Sequence, residues 1–200
     1  MANTIITATG SYIPPDSIPN EYFLASDFYD KSGQKIERPN PEIIKKLYEI
    51  TGIKERRYVI DGLSTSDIAA LAAEKALRNV DRESLDYIIV AHNFGEVRAG
   101  KTGMDMVPTL AARVKHCLKI KNPYTVAFDI PFGCPGWLQG IIMADYFIKS
   151  GDARRILVIG AEILSQISDP HDVDSMIFAD GAGATLVEAT DEDAGILSHV

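Results

Sequence analysis

The chain has 200 residues, 46% of them apolar, and carries 20 Lys and Arg against 28 Asp and Glu for a formal net charge of −8. That is apolar material for one good core, or for one core and the start of a second. The acidic balance argues against a nucleic-acid partner, which needs a concentrated basic surface. No run of about 18 apolar residues suggests a membrane span. Met1 to Thr9 lacks the basic region and small-residue cleavage site of a signal peptide, so the protein is read as cytoplasmic with no membrane partner.

Residues Asn3 to Ala8 predict a first strand that Gly10, Pro14 and Pro15 end. Residues 31–41 are polar and hold Gly33, Pro39 and Pro41, which predicts an exposed insertion. A helix should follow from Pro41 to about Glu49, with proline in its first turn. Ser64-Thr65-Ser66-Asp67 offers capping groups for a second helix, on which Ile68, Ala72, Ala76 and Val80 share one face. Leu85 to Ala91 predicts a buried strand, His92 to Val107 a glycine-containing loop, and Pro108 the start of a helix ending near Leu118. Tyr124 to Asp129 predicts another strand. The turn Pro131-Phe132-Gly133-Cys134-Pro135-Gly136 then leads into an amphipathic helix ended by Gly151. Arg155 to Ala161 and Thr185 to Ala189 predict two more strands, the latter after the glycine-rich Asp180 to Ala184, and a further strand is expected to begin at Ile196. Short β-branched runs alternating with helical patterns make this an α/β chain with a mostly parallel sheet and covering helices.

Cys117 and Cys134 are too few for a disulfide framework and stand in no zinc-type spacing, so at least one thiol is free for chemistry and no metal site is expected. Cys134 falls where a strand ends and a helix begins. There the unpaired N–H groups and the positive end of the helix dipole favour thiolate. Pro135 suits the first helical position, and Gly133 and Gly136 permit a sharp turn with close substrate approach. The alternative is a small buried cysteine that only packs. Cys117, within an ordinary helix, reads as packing. Lys45, Lys46, Lys54, Arg56 and Arg57, with Arg154 and Arg155, are the only basic clusters available to an acidic partner, and they read equally as solvated surface charge. Asp180-Gly181-Ala182-Gly183-Ala184 precedes a strand rather than opening a helix, which predicts close backbone packing and not a phosphate cradle.

Four segments then carry a family resemblance. Phe128-Asp129-Ile130-Pro131-Phe132-Gly133-Cys134-Pro135-Gly136-Trp137 resembles the active-cysteine segment of β-ketoacyl-[acyl carrier protein] synthase III, of the thiolase superfamily. Thr51-Gly52-Ile53-Lys54-Glu55-Arg56-Arg57 resembles that family's TGIxxRR turn. Asp169-Pro170-His171-Asp172 resembles its DPxD turn, and Phe178 to Ala184 its FxDGAGA strand entry. The resemblance implies a thiolase-like fold represented by its N-terminal half over residues 1–190, with 191–200 beginning the C-terminal half.

It also implies that Cys134 takes an acyl group from coenzyme A or an acyl carrier protein, which then condenses with a decarboxylating malonyl thioester in fatty-acid or polyketide-type synthesis. The Cys134 backbone N–H would serve the oxyanion. Phe132, Gly133, Met106 and Val107 would bind substrate, the last two by lining an acyl tunnel across a homodimer. No cofactor is implied. The family's catalytic His and Asn match nothing in this chain. His171 reads as structural. Lys46, Ile50 and Val173 stand where adenine-gripping residues are usual, which favours a carrier-bound donor. Two alternatives remain: a non-decarboxylating condenser or acyltransferase of the same superfamily, in which Glu96 would be a base given across the dimer, and a silent half that acts in dimerisation or pairs with a complementary chain.

Overall fold

Capping at Ser64 illustrates how locally the elements are set. Its hydroxyl and backbone N–H both bond the Asp67 carboxylate, which completes a capping box at the start of a helix. The structure, a computed structural model, describes residues 2–59, 62–101 and 103–199; Val200, the end of the 191–200 segment, is thus outside it. Its strands are β1 (Asn3–Tyr12), β2 (Asp16–Pro19), β3 (Glu55–Tyr58), β4 (Tyr87–His92), β5 (Glu96–Val97), β6 (Met104–Asp105), β7 (Val126–Pro131), β8 (Arg155–Ile163) and β9 (Asp180–Thr190). Its α-helices are α1 (Asn40–Thr51), α2 (Thr65–Ala76), α3 (Leu110–Cys117) and α4 (Gly136–Ser150).

The main sheet has the order β1-β9-β8-β4-β7. β7, β4 and β8 are parallel, while β9 runs antiparallel to both β8 and β1, so four of the five strands point one way. Strand alternation sends side chains to opposite faces. Ile88, Val90, Leu157 and Ile159 meet α2 and α3 on one face. Ile89, Ile156 and Val158 meet Ile141, Ala144 and Ile148 of α4 on the other. A separate apolar cluster, with Phe23, Phe28, Ile43, Leu47 and Met176, seats α1 beside this three-layer body.

Several boundaries differ from the sequence reading, for identifiable reasons. Gly10 does not end β1. It lets the strand lie against α2 so closely that a Cβ there would stand 2.2 Å from the Ala72 carbonyl oxygen, and pairing with β9 continues to Tyr12. The glycine-rich Asp180 to Ala184 is itself the first half of β9, because its register with β8 begins at Ile163 opposite Asp180. Pro108 precedes α3 rather than opening it; Thr109 is the cap, accepting from the Ala112 N–H. No strand begins at Ile196, whose N–H instead donates to the Thr4 carbonyl. The 31–41 segment is exposed apart from half-buried Ile36 and Asn40.

Candidate active site

α4 brings the cysteine turn to the sheet by close packing. Cβ atoms at Gly136 and Gly140 would stand 2.9 Å from Ala91 Cβ and 2.7 Å from Val158 Cγ1, so only glycine allows the helix this near. Trp137 Nε1 donates to Thr185 Oγ1 at 3.2 Å and fixes the helix's first turn over β9. The cysteine turn lies beyond the C-terminal ends of β4, β7 and β8, the edge where open α/β sheets place ligands.

Cys134 is exposed. It does not adjoin the first helical residue as expected: Pro135 is the cap, and α4 begins at Gly136. Gly133 has φ +73°, a conformation that favours glycine, and the Gly136 N–H closes the turn on the Gly133 carbonyl at 3.0 Å. Exposure removes the reading of Cys134 as a buried packing residue. Cys117 is exposed too, but burial around its sulfur pushes its pKa up, with Asp67 and Glu96 adding to the effect.

A cleft of about 380 Å³ opens beside Cys134, with Asn93, Phe94, Leu164, Ile167 and Phe178 among its walls. A larger depression of about 850 Å³ lies between residues 24–27 and 34–40; of its ionisable residues Asp27 and Lys35 form a solvent-exposed ion pair, Glu37 and Arg38 also line it, and no thiol does. Of these two, the smaller cleft is the one that a thiol lines.

The other expected site residues divide. Phe132 and Gly133 flank Cys134 in the turn, with Phe132 exposed. Met106 and Val107 are not brought to this cleft. Val107 is 83% exposed, and Met106 packs its sulfur near Gly95. The 92–107 loop is partly ordered by the β5–β6 ribbon. Glu96 is committed within the chain: its carboxylate accepts from Ser66 N and Oγ at 2.9 and 2.8 Å and pairs with Arg113 at 3.7 Å. That ties the loop to the start of α2 and occupies the group suggested as a base.

Two of the four histidines hold the framework. His171 Nδ1 lies 2.7 Å from the Asp27 carbonyl, and its ring meets Tyr29 edge-on, a structural tie. Buried His92 accepts from the Gly95 N–H at Nδ1, which leaves Nε2 to donate to Asp129 at 3.1 Å. Asp129 in turn accepts from the Leu110 and Ala111 N–H groups that open α3. One carboxylate thus holds both ends of the 93–109 loop.

Three of the basic residues are engaged within the chain. Arg56 is buried, reaching Asn20 Oδ1 at 2.6 Å with its guanidinium over Phe23. Arg57 pairs with Glu55, and Arg155 with Glu188.

Sequence reasoning missed Asn93 and Glu162. Glu162 Oε2 accepts from Asn93 N and Nδ2 at 2.6 and 2.7 Å, while burial pushes the Glu162 carboxyl up despite those bonds. The two are 69 residues apart, so no spacing announces them. Their position at the ends of two predicted parallel strands was the available signal. No group of three or more metal-ligating side chains occurs among the described residues, and none of their helices is long and apolar enough to cross a membrane.

Comparison with known proteins agrees with this architecture. Residues 128–200 match the family model described as 3-oxoacyl-[acyl-carrier-protein (ACP)] synthase III. The chain is 38% identical to the β-ketoacyl-[acyl-carrier-protein] synthase III of Ehrlichia canis, over 99% of this chain and 56% of that protein. It is 35% identical to the enzyme of the same name from Koribacter versatilis, over 98% and 53%. The crystal structure of 3-oxoacyl-[acyl-carrier-protein] synthase III from Aquifex aeolicus superposes with a TM-score of 0.78 at 32% identity, covering 98% of this chain and 56% of that one. The chain therefore spans about half the length of the curated relatives it matches. In sequence and in fold it resembles the 3-oxoacyl-[acyl carrier protein] synthase III family over the half of those proteins that it spans.

Proposed function

We propose that Cys134 is the acyl-accepting nucleophile of a condensing enzyme of which this chain is the amino-terminal half. The observation that carries the reading is an exposed thiol in a glycine turn, ahead of a 15-residue helix and opening on a mainly apolar cleft. Cys134 Sγ attacks the carbonyl carbon of an acyl thioester, the thiolate of the donor leaves, and an acyl-enzyme thioester remains. A malonyl thioester then loses carbon dioxide, its carbanion attacks that acyl carbon, and Cys134 departs as thiolate. The Cys134 N–H is one oxyanion donor in both halves; the second donor, the base and the decarboxylation partners belong to the other half of the enzyme.

Two finer readings accompany this. Lys46, Ile50 and Val173 line one cleft of about 280 Å³ with Ile36 and Arg38, and no aromatic side chain lines it to stack on adenine. This supports a carrier-protein donor over coenzyme A; tight, adenine-dependent coenzyme A binding by calorimetry would count against it. A homodimer is supported by β7, an outer strand with one edge unpaired among the described residues, and by Met106 and Val107, exposed where they can serve a neighbouring subunit better than their own cleft.

The test of the main reading is intact mass after incubation with a panel of acyl thioesters. One acyl group should add to the wild type and none to Cys134→Ala. No adduct with any donor, or an adduct that survives the substitution, would remove Cys134 from the mechanism.

A further inference from the structure

One polar side chain on the cleft wall has its orientation fixed from behind. Asn93, the first residue after β4, is exposed and lines the cleft with Cys134. Both its backbone N–H and its Nδ2 donate to Glu162 Oε2. An ionised carboxylate only accepts, so it takes the NH₂ end of the amide; the flipped amide would set two acceptors against each other at about hydrogen-bond distance. Oδ1 is therefore turned away from Glu162. It has no hydrogen-bond partner among the described residues and stands 3.8 Å from where a Cβ on Gly133 would be, on the side of the cysteine turn.

Glu162 is costly where it stands. It is half-buried, and its Oε1 is buried without a partner. Its carboxylate holds Asn93 through two hydrogen bonds, with the Phe94 backbone also favouring its charged form. The remaining walls near the thiol are apolar: Phe94, Leu164, Ile167 and Phe178. The other polar lining groups belong to the 168–175 turn, where Asp169 and Asp172 each accept a turn N–H. An acceptor beside apolar walls suits a chain of methylenes that carries an amide N–H close to its sulfur.

We propose that Asn93 Oδ1 accepts a hydrogen bond from an amide N–H on the arm of the thioester donor, and that Glu162 is the positioning residue that presents this oxygen. The inference rests on Cys134 being the acyl acceptor. It makes Asn93 a specificity-determining residue, one that selects donors by the arm that leaves and not by the acyl group that stays.

The experiment compares two acetyl donors, the thioester of N-acetylcysteamine and that of pentanethiol, which lacks the amide. Rates of Cys134 acylation are followed by intact mass, and the ratio of the two rates is the readout, so a general loss of folding cancels. The wild type should favour the amide-bearing donor. Asn93→Ala should lower the ratio by about tenfold, the scale of one well-placed hydrogen bond. Glu162→Gln should lower it in the same direction by less. A ratio unchanged in both variants, whether both rates fall together or neither moves, overturns the proposal, as does a wild type that acylates Cys134 without preference. Absence of acylation by either donor in the wild type would instead overturn the reading of Cys134 itself.

Discussion

Cys134 and Cys117 are both exposed, yet they differ in surroundings. Burial about the Cys117 sulfur, with Asp67 and Glu96 near, disfavours its thiolate, and thiolate is the reactive form. Iodoacetamide at neutral pH should label Cys134 well before Cys117; equal or reversed labelling by peptide mass spectrometry would contradict the assignment. Glu162 gives a second residue-scale expectation. Its folded pKa is raised by burial, so the folded chain keeps that proton to higher pH than the unfolded chain. The group's contribution to stability is then greatest below the ordinary glutamate range and declines as pH rises through the raised value. Denaturant unfolding at a series of pH values should show this decline in the wild type and a shallower one in Glu162→Gln; parallel profiles would refute it. The candidate cysteine turn was legible in sequence because its turn, cap and helix are consecutive. The Asn93–Glu162 pair was not, because only the parallel alignment of β4 and β8 brings the two together.

At the scale of elements, glycines decide how near the layers lie. A methyl group at Gly140 would meet Val158 Cγ1 at 2.7 Å, and overpacking of this kind costs about 1–3 kcal/mol. Gly140→Ala should lower stability by that order and slow acylation of Cys134, since the helix behind the turn must shift. Unfolding curves and intact mass read the two effects; a fully stable variant would mean that α4 has slack. Helix starts were readable from side-chain chemistry, as the Ser64–Asp67 box shows. Strand lengths were less so. Gly10 and the Asp180 to Ala184 run read as breaks because glycine weakens strands in isolation. In the fold these glycines sit inside strands, at Gly10 because a helix leaves no room for a Cβ.

At the scale of the whole molecule, α4 keeps Leu138 and Tyr146 outward, 49% and 59% exposed, on the helix that carries the cysteine turn. Apolar surface left in water costs roughly 25 cal/mol per Å². With the open β7 edge, this surface should make the 200-residue chain associate or aggregate by analytical ultracentrifugation. It should also lack malonyl-dependent condensation while retaining slow self-acylation. Full turnover by this chain would show that the catalytic set is complete within it. The sequence foretold the α/β class and a mostly parallel sheet with covering helices, but not that β9 would run against its neighbours. Antiparallel insertion depends on pairing between residues 5 and 188, far apart in the chain.

The clasp formed by Asp129 has a wider consequence. Because it grips His92 and the first N–H groups of α3 together, the mouth of the intervening loop stays shut whatever its middle does. Closure entropy grows only slowly with added length. A change of length between β5 and β6 would therefore leave the strand ends behind the thiol in their places, provided that the ties of Ala99 to Leu63 and of Gly100 to Gln166 are kept.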